Sequence, residues 1–144
     1  MAVSRAMRRL LQVLEIQEEE CRATMEAARA ELGRLEEALT RSVERERGGR
    51  HLVAASARSG EVTDRIAGLE ETRAARRMAA ALAPRIAEAE TAVEERRREF
   101  LGKRIERRQT ETLIDEAEAL DKVEAGRRAQ RDLDDWFRNR RSTW

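Results

Sequence analysis

Tyrosine is absent from this 144-residue chain, and proline, cysteine and histidine occur once each. Aromatic residues make up only 3% of it, as two Phe and two Trp. Compact cores of this size draw on aromatic and β-branched side chains, so the shortage excludes a β-sandwich and argues against an enzyme with an enclosed active site. A single thiol, Cys21, permits no internal disulfide and no cysteine-based metal site. A reducing cytoplasm is the expected compartment. Neither sign of charge prevails, because thirty Lys+Arg against twenty-nine Asp+Glu leave +1. No global field therefore selects nucleic acid or a membrane surface. Long apolar runs are missing too. Arg5, Arg8 and Arg9 lead into Leu10-Leu11, but Gln12, Glu15 and Glu18-Glu19-Glu20 end the run, and nothing approaches the roughly 20 apolar residues of a membrane span. The expectation is a protein that is not exported by its own sequence and does not insert into the membrane directly.

Ala, Leu, Glu and Arg dominate, and 41% of residues are charged. Those are strong helix formers, and the mixture reads as long, exposed, charge-laced helices. Stepping 3 and 4 from Leu11 gives Leu11, Leu14, Glu18, Cys21, Met25, Ala28, Leu32, Leu35 and Leu39, of which eight of nine are apolar. A stripe two residues wide in seven, sustained for four heptads, is a coiled-coil seam. It fades after Val43. Two turns compete beyond it: Gly48-Gly49, and the better-capped Ser59-Gly60-Glu61-Val62-Thr63-Asp64, where Gly60 suits a helix C-cap and Thr63 or Asp64 can cap the next helix.

A second seam follows at Leu82, Ile86, Ala89, Val93, Arg96, Phe100 and Lys103. Folding the chain back at Gly60 sets Leu39 against Leu82, Leu35 against Ile86, Leu32 against Ala89, Ala28 against Val93, Cys21 against Phe100 and Glu18 against Lys103. Nearer the turn it sets Leu52 against Leu69 and Ala55 against Ile66. The expected fold is all-α: one domain, a long antiparallel two-helix coiled-coil hairpin, preferred over a parallel homodimer. Its first arm covers about 4–58, its turn 59–63 and its second arm 64–140. Leu69 and Leu82 are thirteen apart, one short of two heptads, and Pro84 follows. These predict a slipped or non-helical step over 72–84. The second arm outruns the first, so residues after about 117 are expected to overhang without a partner.

Chemistry finds no foothold in these residues. His51 has no acid or cysteine at a useful spacing, Cys21 occupies a seam position, and phosphate loops and zinc-ligand spacings are absent. No catalytic residue, metal or cofactor is expected. Charge is patterned toward the end of the second arm: six acids against Lys122 in 110–124, then six arginines against three acids in 127–141. Trp136-Phe137, in a chain nearly devoid of aromatics, reads as a docking anchor. The interleaving of acids with the arginines argues against a basic-zipper nucleic-acid binder.

Met7-Arg8-Arg9-Leu10-Leu11-Gln12-Val13-Leu14-Glu15-Ile16-Gln17-Glu18-Glu19-Glu20 resembles the opening of the FliJ proteins of the flagellar export apparatus. Val93 to Arg104 looks like their second-arm segment, and Arg127-Arg128-Ala129-Gln130-Arg131-Asp132-Leu133-Asp134-Asp135-Trp136 is similar to their closing stretch. The YscO stalk proteins of virulence type III secretion are similar enough to share the reading. The resemblance implies a non-enzymatic hairpin like the rotor stalk of F-type ATPases. Its paired ends would enter a hexameric export ATPase, and its turn would face an export-gate membrane protein. Export chaperones would be further partners, at the cytoplasmic face of the inner membrane. By resemblance, ATPase contact falls to Arg8, Arg9, Leu10, Arg127, Arg128, Arg131, Leu133 and Trp136. The turn-proximal apolar residues left for the gate are Leu52, Ile66 and Leu69, without the aromatic residues that family members often carry there. A generic coiled-coil scaffold or chaperone is the alternative.

Overall fold

The computed structural model describes residues 4–143, and among them there are two helices and no strand: α1, Arg5–Ser59, and α2, Val62–Ser142. The helices pack together as an all-α antiparallel hairpin. Gly60 makes the reversal. Its N–H donates to the Ser56 carbonyl at 2.8 Å, and its φ of +74° is the left-handed conformation that only glycine adopts without penalty. The Glu61 carbonyl already accepts from the Arg65 N–H at 3.3 Å, so α2 begins two residues earlier than the sequence suggested, with Asp64 in its first turn favouring the positive end of the helix dipole. Gly48-Gly49, the rival turn, lies inside α1.

The chain forms two compact units, one of Cys21–Glu99 and one of Met1–Glu20 with Phe100–Trp144. In the first, α1 contributes Cys21, Met25, Ala28, Leu32, Leu35, Leu39, Ser42, Glu46, Gly49, Val53 and Ser56 to the seam, all buried or half-buried. From α2 come Gly68, Thr72, Ala75, Ala79, Leu82, Ile86, Ala89 and Val93. Leu35 and Leu82 are 6% and 3% exposed, which places both at the centre of the stripe. Arg96, read as part of this seam, is exposed and pairs with Glu99.

Two expectations for this unit are corrected. The α1 heptad does not fade after Val43; it continues from Ser42 through Glu46, Gly49, Val53 and Ser56, of which only Val53 carries an apolar signal. Nor does the register slip over 72–84. Gly68 and Leu82 are two heptads apart, and α2 passes through Pro84 without a break. Pro84 is exposed, as is Ala80, whose carbonyl loses its helical donor to the proline ring and faces solvent instead. Leu69, mistaken for a seam residue, is 38% exposed, Ile66 is 52% exposed, and Ala55 is exposed as well. The pairs Leu52–Leu69 and Ala55–Ile66 are replaced by Gly49 beside Thr72 and Val53 beside Gly68.

That replacement brings the backbones into close approach. A methyl group on Gly49 would lie 2.5 Å from Thr72 Oγ1 and 2.8 Å from the Gly68 carbonyl oxygen. On Gly68 it would lie 2.7 Å from the Gly49 carbonyl oxygen and 2.8 Å from Val53 Cγ2. Hydroxyls buried along this stripe turn back on their own helix: Thr72 Oγ1 donates to the Gly68 carbonyl at 2.8 Å and Ser56 Oγ to that of Val53 at 2.7 Å. Ion pairs flank the seam, with Arg45 on Glu71 at 2.6 Å and Arg76 on Glu46 at 2.8 Å.

Candidate docking end

The unit of Met1–Glu20 with Phe100–Trp144 holds every residue assigned by resemblance to a motor contact. Ser4 caps α1: its Oγ accepts from the Met7 N–H at 3.1 Å, and its carbonyl accepts from the N–H groups of Met7 and Arg8. Leu14, Thr110 and Ile114 are buried between the helices, at 6%, 7% and 7% exposure. Met7, Leu11, Phe100, Lys103, Ala117 and Asp121 complete the stripe as half-buried residues.

Glu18, the charged seam residue of α1, was expected opposite Lys103. Its partner is Arg107, one helical turn further along α2. Arg107 also donates to Glu111 at 2.8 Å, and the hydrogen bonds to Glu18 and then Glu111 hold its guanidinium above its ordinary pKa. A guanidinium fork can serve two carboxylates together. Lys103 offers a single ammonium, which binds Glu106 on its own helix at 3.3 Å. Across the outer end Arg8 meets Glu118 at 3.2 Å, both well exposed.

Asp121 is the last half-buried residue of α2; each residue from 122 to 143 is exposed. The overhang thus begins four residues later than expected, yet stays helical to Ser142. Local pairs such as Gln130 Nε2 on Asp134 at 3.1 Å support it. Near its tip Trp136 and Phe137 meet edge to face, with ring centroids 5.0 Å apart and planes at 74°. The Arg140 guanidinium lies 4.9 Å from the Trp136 ring centre, a cation–π contact. Both rings are half exposed, at 51% and 53%, as is Leu133 at 49%. Two rings ordered against each other but not against a core make a preassembled apolar knob.

Arg8, Arg9 and Leu10 are exposed on the first turns of α1, and Arg127, Arg128, Arg131, Leu133 and Trp136 are exposed on the overhang. The structure brings Arg8 against Glu118 of α2, whereas the overhang residues extend beyond any α1 partner. A second apolar surface escaped the sequence reading: Leu10, Val13, Leu113 and Leu120 are all exposed large side chains of this unit. Its signal was present, since each stands one residue before a seam position. At the turn, Leu52 is half-buried, while Ile66, Leu69 and Val62 form an exposed i, i+4, i+7 run on α2.

Among the described residues no three His, Cys, Asp or Glu side chains converge as a metal set, and no helix is long and apolar enough to cross a membrane. The chain matches no family model, no curated protein and no solved structure.

Proposed function

We propose that this chain is a non-enzymatic stalk of a flagellar or type III protein-export apparatus, of the FliJ/YscO kind. The observation that carries the reading is the uncovered end of α2: an exposed helix over 122–142 bearing a Trp136–Phe137–Arg140 knob, beside the start of α1. A helix so polar gains little from its own stripe, and an aromatic knob with an adjacent arginine has the composition of an interface hot spot. In this reading the knob and the arginines Arg8, Arg9, Arg127, Arg128 and Arg131 engage the pore of a hexameric export ATPase. Leu10 and Leu133 supply apolar contact there. The exposed run Val62, Ile66 and Leu69, with Leu52, faces the export gate, and chaperones visit the stalk at the cytoplasmic face of the inner membrane.

Co-purification with the export ATPase of the same cell is the test. Capture by the full chain, reduced at least tenfold by Trp136→Ala with the melting temperature unchanged at concentrations that keep the chain monomeric, is expected. An ATPase that ignores the wild-type chain overturns the reading in favour of a generic coiled-coil scaffold, which needs no specialised end.

A further inference from the structure

The unit of Met1–Glu20 with Phe100–Trp144 exposes large apolar side chains in two groups, besides the single residues Ile16, Ile105 and Val123. Leu10, Val13, Leu113 and Leu120 are 50%, 47%, 55% and 63% exposed. Each immediately precedes a seam residue: Leu11, Leu14, Ile114 and Asp121. The two helices of an antiparallel pair are related by a two-fold axis perpendicular to the plane of their axes. Positions one step before the seam therefore fall on the same face from both helices. The four side chains make one apolar face of the hairpin. The second surface is the knob of Leu133, Trp136 and Phe137 on the overhang.

The chain cannot join its own two surfaces. α2 is unbroken helix to Ser142, so the overhang leads away from the face that precedes it. Charge then selects among pairings with a second copy. Around the face, 5–14 carries three arginines and no acid and 110–124 carries six acids against one lysine, together a net −2, and along the overhang 127–141 carries six arginines against three acids, a net +3. Face on face would oppose two surfaces of net negative charge, and overhang on overhang two of net positive charge. Overhang on face joins opposite charges and buries apolar groups on both sides. It also closes under a two-fold axis, since each copy gives one overhang and receives one, leaving no open end to polymerise.

We infer that a second copy of this chain covers the Leu10–Val13–Leu113–Leu120 face with its Leu133–Trp136–Phe137 overhang, in a reciprocal exchange that makes a closed dimer. The inference stands apart from the stalk reading, although the two compete for the same residues. A dimer shelters the knob, and a ring-shaped partner can take it only after the exchange opens.

Sedimentation equilibrium of the full chain over ~1 to ~100 μM at low salt reads this directly. A species of twice the 16.5 kDa chain mass is expected, weakening as salt is raised. Trp136→Ala with Phe137→Ala should raise the dissociation constant about thirtyfold or more, the loss of a hot spot. Leu113→Glu should do the same, with helicity by circular dichroism unchanged because Leu113 is more than half exposed. Mixing the two variants should restore association, because the intact overhang of one meets the intact face of the other. A chain that stays monomeric throughout overturns the proposal. So does a dimer indifferent to the aromatic double variant, one indifferent to Leu113→Glu, or a mixture that fails to associate. None of these outcomes depends on whether an export ATPase binds.

Discussion

At Gly49 and Gly68 the distance between helices is set by the absence of two methyl groups. Carbonyl oxygens and a threonine hydroxyl occupy the space that a β-carbon would need, and backbone atoms cannot step aside as a flexible side-chain end can. Gly49→Ala or Gly68→Ala should therefore lower stability by about 1–3 kcal/mol, the range for overpacking a fitted contact. Gly33→Ala and Gly48→Ala, where an added β-carbon meets nothing within 4 Å, should instead raise it by ~0.5–1 kcal/mol through helix propensity alone. Thermal or denaturant melts of the four variants check the contrast, and the same sign at all four would remove the close crossing. The large seam residues, Leu14, Leu35 and Leu82, were legible as spacing of apolar side chains. Ser42, Gly49, Ser56, Gly68 and Thr72 were not, because a heptad position filled by a small or hydroxylated residue looks like surface until a second helix is pressed against it. Glu18 was legible as a charge needing a partner, but which cation it takes depends on reach: the two-pronged Arg107 outcompetes Lys103 for a half-buried carboxylate.

Among the elements, α2 carries two features that act on the helix as a whole. The first is Pro84, which deprives an otherwise continuous 81-residue helix of one hydrogen bond. It is exposed and lies off the seam positions Leu82 and Ile86, so Pro84→Ala restores the bond without disturbing packing. A gain of about 1–3 kcal/mol is expected from the restored bond and relieved clash, measurable as a raised denaturation midpoint. A loss would mean that the proline fits a bend the seam requires. The second feature is the overhang. From 122 to 143 every residue of the chain's end is exposed, and its opening free energy is correspondingly low. At concentrations that keep the chain monomeric, trypsin should cut first at Arg127, Arg128 and Arg131, leaving the paired region intact. Initial cleavage within the seam region would contradict the burial described above. The overhang was legible in the sequence as a mismatch of arm lengths; its start at 122 rather than 118 follows from the register that Glu18 and Arg107 adopt.

For the molecule as a whole, near-neutrality is a balance between thirty cations and twenty-nine acids, and acidification tips it. The Arg76 hydrogen bond holds the Glu46 carboxyl below its usual 4.5, and the Arg45 hydrogen bond does the same for Glu71. A carboxyl whose pKa is lower folded than unfolded contributes stability that is present above 4.5 and is lost as pH falls through its folded value. Glu61 has the opposite sign, raised chiefly by its hydrogen bond with Asp64, so protonation there favours the turn slightly. Two depressed carboxyls across the seam outweigh one raised beside the turn. The melting temperature should be level from pH 7 to about pH 5 and fall below about pH 4.5, with Glu71→Gln flattening part of the drop. A melting temperature that rises on acidification would show that the interhelix ion pairs contribute nothing.

The sequence by itself determined that this chain is helical and that its second arm outlasts its first, and it favoured a turn at Gly60 over Gly48-Gly49. Those properties are local or additive: helix propensity, a left-handed glycine, a count of heptads. The tertiary structure decided the register beyond the turn, the seam through glycine and serine, the uninterrupted passage of α2 through Pro84, and the gathering of Leu10, Val13, Leu113 and Leu120 on one face. Each of these depends on which atoms a second helix brings within contact distance, and one strand of residues read along its length carries no record of that distance.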